Sequence, residues 1–138
     1  MERARAARAR LVLIVEDDPR VGEMLETAIN DERGYEAMRV DDADSALQAL
    51  ARVAPDLLVL DIRLPGMSGL ELYDRIRADV RLRDVPVVFE TGTARENADE
   101  LRRRGIATYV KKPFDLDELV RFVKRLAPPL NGKGAAAR

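Results

Sequence analysis

The chain has 138 residues, 46% hydrophobic and 36% charged, which is enough apolar material for one core and leaves no room for a second of similar size. It contains no Cys and no His, which excludes disulfides, thiolate or imidazole metal sites, cysteine nucleophiles, a Ser-His-Asp triad and a phosphohistidine relay on this chain. The net charge of −1 is unevenly spread: residues 1–10 carry +3 and residues 127–138 carry +2, so the body between them carries −6, a poor balance for neutralising nucleic-acid phosphates.

No apolar run approaches the ~18 residues that a membrane span requires. The run Leu11–Val15 stops at Glu16-Asp17-Asp18, too soon for a signal-peptide core. A cytoplasmic protein using carboxylate, hydroxyl or lysine chemistry is the expectation. Residues 1–10 read as a basic tail, 11–126 as the folded domain, and 127–138 as a flexible tail or linker stump.

Leu11–Val15 is a continuous apolar run, as expected of a strand buried on both faces. Val21, Met24, Leu25, Ala28 and Ile29 then fall on one face of a helix, with Asp18 as N-cap, Pro19 in the first turn and Gly34 as the break after it. Tyr35–Val40 reads as a strand and Ala43–Val53 as a helix, with Asp41 and Asp42 as capping residues. Leu57–Leu60 is a short strand, followed by a loop containing Pro65 and Gly66 and a helix over Ser68–Asp79. Pro86–Phe89 is strand-like, and Ala94–Arg104 is a polar helix ended by Gly105. Ala107–Val110 is a strand, and Asp115–Leu126 is a helix stopped by Pro128-Pro129.

Five strand–helix units with short connections predict an α/β fold: a doubly wound, five-stranded parallel sheet, flavodoxin-like, in the order 2-1-3-4-5. Ligands in such folds sit beyond the carboxyl ends of the strands, at the point where strand order switches. The residues at those ends are Glu16, Asp17 and Asp18 after the first strand and Asp61 after the third. Glu90 and Thr91 follow the fourth, and Lys111 and Lys112 the fifth. Carboxylates crowded at one site repel one another unless they are protonated or share a cation, and a hard oxygen-liganded ion such as Mg²⁺ suits them. A lysine and a hydroxyl nearby would complete a phosphoryl-binding shell, with an aspartate as a possible nucleophile. Each residue alone has a plainer reading as a cap or turn; four separate segments converging on one sheet edge carry the case.

The stretches LVLIVEDDP (11–19), LLVLDIRLPGMSG (57–69), PVVFETG (86–92) and YVKKPF (109–114) together resemble the receiver domain of bacterial two-component response regulators. The resemblance covers residues 11–126, with the motifs in the family's order and spacing. It implies that Glu16 and Asp17 organise Mg²⁺, that Asp61 accepts the phosphoryl group, and that the backbone carbonyl of Arg63 completes the metal shell. It implies too that Thr91 turns toward the phosphoryl group, that Lys112 pairs with it, that Tyr109 is an aromatic switch, and that the bond before Pro113 is cis. A histidine kinase or phosphotransfer protein would be the donor and another protein the downstream target. The chain would be a monomer or weak dimer, contact neither nucleic acid nor membrane, and not be an enzyme beyond self-catalysed phosphotransfer and slow autodephosphorylation.

Two positions depart from the family's pattern. Glu90 stands where an apolar residue is usual, either as a solvated strand-end glutamate or as a charge that alters partner docking, and Gly92 replaces a common alanine. Lys111 also precedes Lys112, so the functional lysine is assigned by its adjacency to Pro113. With no output domain after residue 126, the expectation is a stand-alone receiver, with a fragment of a longer regulator or a non-phosphorylated pseudo-receiver as alternatives. A phosphatase of the haloacid-dehalogenase type is disfavoured because Arg63 stands where its general-acid aspartate would be.

Overall fold

The computed structural model describes residues 9–92 and 96–130. The strands are β1 (Arg10–Val15), β2 (Tyr35–Val40), β3 (Leu57–Asp61), β4 (Val87–Thr91) and β5 (Tyr109–Lys111). The helices between and after them are α1 (Pro19–Asn30), α2 (Ala43–Leu50), α3 (Gly69–Ala78), α4 (Ala98–Arg103) and α5 (Leu116–Leu126). The strands form one sheet in the order β2-β1-β3-β4-β5, parallel throughout. This is the predicted doubly wound topology.

Strand alternation divides the apolar residues between two cores. Leu13, Val15, Leu58, Leu60, Val87 and Phe89 face one side, where α2, α3 and α4 contribute Ala46, Leu50, Leu72, Ile76 and Leu101. Val12, Ile14, Leu57, Val59, Val88 and Val110 face the other, against Leu25 and Ile29 of α1 and Leu119 and Val123 of α5. Every residue of β3 is buried, which is why the central strand reads as an unbroken apolar run ending in aspartate. Each fully buried leucine contributes about 1.5–3 kcal/mol.

Local signals set the helix starts. The side chains of Asp18, Asp42 and Asp115 accept backbone N–H bonds at the starts of α1, α2 and α5. Ser68 and Glu71 form a reciprocal capping box on α3. Asp41 does not cap; it pairs with Arg39 at 2.7 Å. Gly34, at φ +90°, makes the turn after α1 that L side chains resist.

Several boundaries differ from expectation. The second helix stops at Leu50 rather than Val53, and the last strand runs over Tyr109–Lys111 rather than Ala107–Val110. The fourth helix begins at Ala98; of its predicted start, Ala94 and Arg95 lie outside the described residues, and Glu96 and Asn97 form a turn. This helix buries only Leu101, so its apolar pattern is too thin to mark a start. The folded body also exceeds 11–126 at both ends. Arg10 opens β1, pairs with Asp56 at 3.2 Å and donates to the Pro128 carbonyl at 2.7 Å. Ala127 is buried, and its carbonyl accepts a 2.6 Å bond from the Tyr35 hydroxyl. The remainder of the two predicted tails, residues 1–8 and 131–138, lies outside the described residues.

Candidate functional site

One period of two generates the site. Ile14, Val59, Val88 and Val110 lie in the core beneath α1 and α5. Two residues further along each chain segment come Glu16, Asp61, Glu90 and Lys112. Parallel register sets them side by side, with Val15 opposite Leu60 and Asp61 opposite Glu90. A layer of valine and isoleucine thus passes into a layer of charge at the carboxyl edge of the sheet.

Lys112 is the hub of that layer. Its Nζ lies 3.2 Å from Glu16 Oε1, 3.2 Å from Asp61 Oδ2 and 3.4 Å from Glu90 Oε1. The other Glu16 oxygen accepts the Asp18 N–H at 3.0 Å, and the other Asp61 oxygen accepts the Arg63 N–H at 3.1 Å. Lys112 is half-buried while Lys111 is exposed, as neighbours at a strand end should be. The Lys112–Pro113 peptide is cis.

Glu16, Asp17 and Asp61 each present one carboxylate oxygen, all within 4.8 Å of one another. Glu16 and Asp61 are buried and Asp17 is exposed, so the cluster opens on one side to solvent. Three hard oxygen donors with an open side fit a small divalent cation that keeps part of its water. Arg63, whose backbone N–H bonds Asp61, is exposed.

Burial and crowding set the charge states. Burial first, then the Glu16 charge, push the Asp61 carboxyl up to about 6 against the pull of Lys112. Burial raises Glu16 as well, but the adjoining Glu90 carboxyl, the bond from the Asp18 N–H and the Lys112 charge win and hold it below its usual value. Burial, then the crowding of the neighbouring Glu16 carboxylate, push Glu90 up to about 10. Burial alone would lower Lys112, but Glu90, Asp61 and Glu16 together hold it above the ordinary lysine range.

Thr91 and Tyr109 belong to the other face. Thr91 is buried at the end of β4, two residues after Phe89, and its carbonyl accepts the Lys112 N–H at 2.8 Å. Tyr109, opposite Phe89 in the register, is half-buried against the core that α2, α3 and α4 cover. Arg104 anchors the end of α4, bonding Asp74 of α3 at 2.8 and 2.9 Å and Glu100 at 2.6 Å.

Glu90 corrects the sequence reading. It is no solvated strand-end glutamate: it is fully buried and packed into the site beside Lys112. The signal was available in the spacing, since Val88 and Glu90 must share a face of β4.

A five-stranded parallel sheet carrying an acidic cluster and a lysine at its switch point defines a class, and known proteins agree with it. The model of the response regulator receiver domain matches residues 12–124, and the chain belongs to that family. It is 38% identical over 120 residues to the phosphate regulon transcriptional regulatory protein PhoB of Klebsiella pneumoniae, covering 84% of this chain and 51% of that protein. The chain therefore spans about half the length of such curated relatives. Among solved structures it resembles a response regulator receiver protein from Pseudomonas putida, with TM-score 0.77 and 30% identity over 85% of this chain and 97% of the other. The receiver domain of a sensor histidine kinase from Pseudomonas aeruginosa PAO1, with a magnesium ion coordinated in its active-site cleft, gives TM-score 0.78 and 29% identity, covering 86% of this chain and 98% of the other. No helix among the described residues is long and apolar enough to cross a membrane.

Proposed function

We propose that this chain takes a phosphoryl group onto Asp61 from a phosphohistidine on a partner kinase or phosphotransfer protein. The observation carrying this reading is the tethering of Asp61. One oxygen is held by the Arg63 N–H and the other by Lys112, and the side chain sits beside the two further carboxylates of the cluster. An aspartate so fixed presents a carboxylate oxygen in one direction, as in-line attack requires. The P–N bond of the donor breaks as the O–P bond to Asp61 forms, and the departing imidazole keeps the electron pair. Glu16, Asp17 and Asp61, with the Arg63 carbonyl, would hold Mg²⁺, which when bound neutralises negative charge on the phosphoryl oxygens. Lys112 supplies a second positive charge to the same oxygens.

The acyl phosphate then hydrolyses slowly with water, so the chain is a phosphorylated signalling protein rather than an enzyme turning over a substrate. Phosphorylation adds charge and strong acceptors at the strand edge where Thr91 also ends β4. The placing of Thr91 on the face of Phe89, with Tyr109 opposite Phe89 and against the core that α4 helps to cover, supports a route by which the face formed by α4, β5 and α5 would rearrange for a downstream protein.

Intact mass after incubation with acetyl phosphate tests the reading, and suits a chain without Trp. The expected result is one phosphoryl adduct that needs Mg²⁺ and is lost in Asp61→Asn. No adduct, together with no NMR response to beryllofluoride and Mg²⁺, rejects it in favour of a binding module that never takes phosphate.

A further inference from the structure

Glu90 has no role in the phosphotransfer just described. Its side chain is fully buried, and neither carboxyl oxygen has a hydrogen-bond donor in good geometry. A buried carboxyl left in that condition is costly, and such local costs concentrate at functional positions. Its one cationic neighbour among the described residues is the Lys112 ammonium, 3.4 Å away. Lys112 in turn donates to Glu16 and Asp61 besides touching Glu90, and it is the half-buried side chain through which this floor meets solvent.

We propose that Glu90 is a positioning residue that draws the Lys112 ammonium toward the floor of the site, and so weakens the hold of the site on a phosphoryl group at Asp61. The inference rests on the reading of Asp61 as the phosphoryl acceptor. A phosphoryl group on Asp61 must recruit Lys112 from the solvent side, because Glu90 lies beneath it, fully enclosed. Whatever Lys112 gains from the Glu90 oxygen in the empty site is lost in the phosphorylated one. The two states therefore differ by one close contact of the ammonium with a buried oxygen. Leucine at this position extends the apolar layer of Val88 and Val110 and leaves Lys112 free to serve the phosphoryl oxygens. Glutamine has the length of glutamate and keeps an oxygen able to accept from the ammonium.

The test is an NMR titration of the whole chain with beryllofluoride in saturating Mg²⁺, with a separate titration of Mg²⁺ alone. Glu90→Leu is expected to bind beryllofluoride about three- to ten-fold more tightly than the unmodified protein, less than a full hydrogen bond to a charged group would give because the contact is long and poorly aligned. Glu90→Gln is expected to stay within two-fold of the unmodified protein, and Mg²⁺ affinity to move by less than about two-fold in either variant. Unchanged or weaker beryllofluoride binding in Glu90→Leu overturns the proposal, as does a Gln variant that behaves like Leu. A loss of Mg²⁺ affinity in step with the gain also overturns it, since the carboxyl would then act on the whole cluster and not through Lys112. If the unmodified protein binds no beryllofluoride at all, the phosphoryl-acceptor reading of Asp61 fails first, and this inference falls with it.

Discussion

Gly69 opens α3 directly against the end of β3, and replacing it with alanine puts the placement of Asp61 under direct mechanical test. A Cβ added there would fall on the Asp61 carbonyl oxygen and lie 2.9 Å from both the Asp61 carbonyl carbon and the Ile62 Cα. Carbon atoms rest at about 3.5–4.0 Å, so backbone on one side must retreat by at least about 0.5 Å. The contacts are backbone atoms, which no rotamer change relieves. Retreat stretches the 2.8 Å bond from the Gly69 N–H to the Ile62 carbonyl and shifts Asp61 against Glu90 in the sheet. Overpacking of this kind costs about 1–3 kcal/mol. At about 3–5 °C per kcal/mol for a domain of this size, the midpoint of thermal unfolding should fall by roughly 3–15 °C. Gly66→Ala is the control: its φ of +75° strains an alanine, but nothing lies within 4 Å of the added Cβ. That variant should lose about 1–2 kcal/mol and keep its phosphorylation rate. Gly69→Ala should lose both stability and rate of adduct formation from acetyl phosphate. A Gly69→Ala protein that melts within a degree of the parent and is phosphorylated at the same rate would falsify the argument.

Lys112→Met should destabilise the metal-free protein by about 2 kcal/mol at pH 8, below the usual cost of breaking a buried pair because Lys112 is a quarter exposed. Without the ammonium the folded-state carboxyls rise further, so the native chain binds more protons than the unfolded one and the variant loses stability as pH rises from about 5 to 8; equal urea midpoints for variant and parent at both pH values would count against the hub. Asp61, pushed up to about 6, must lose its proton before it can bind a cation, so Mg²⁺ should bind about ten-fold more weakly at pH 5 than at pH 8. Calorimetry showing the same affinity at both would contradict that shift. Ser68→Ala removes one half of the α3 capping box and should cost about 1 kcal/mol, read as a lower denaturant midpoint at unchanged slope.

Features that depend on near neighbours along the chain were readable from the residues alone. Unbroken apolar runs such as Leu57–Leu60 and the helical spacing of Val21, Leu25 and Ile29 arise within single elements. Their alternation allowed little besides a doubly wound sheet. The caps at Asp18, Asp42 and Asp115 are equally local, because each carboxylate bonds a backbone N–H two or three residues ahead. The acidic edge was legible too, since it follows from which residues come directly after each strand.

Which way a side chain points, and what lies opposite it, emerged only from the packed fold. Glu90 read as either a solvated glutamate or a charge facing a partner, both outward; the register opposite Asp61 and the apolar layer under it turn it inward. Lys111 and Lys112 are chemically the same, and only the strand's alternation sends the second to the carboxylates and the first to water. Arg10 and Ala127 looked like tail residues in sequence, yet Arg10 bonds Asp56 and Pro128 while Ala127 receives the Tyr35 hydroxyl. Pairing across so many residues leaves no trace in local composition, because the partner that gives each side chain its environment is set by the packing of the whole sheet.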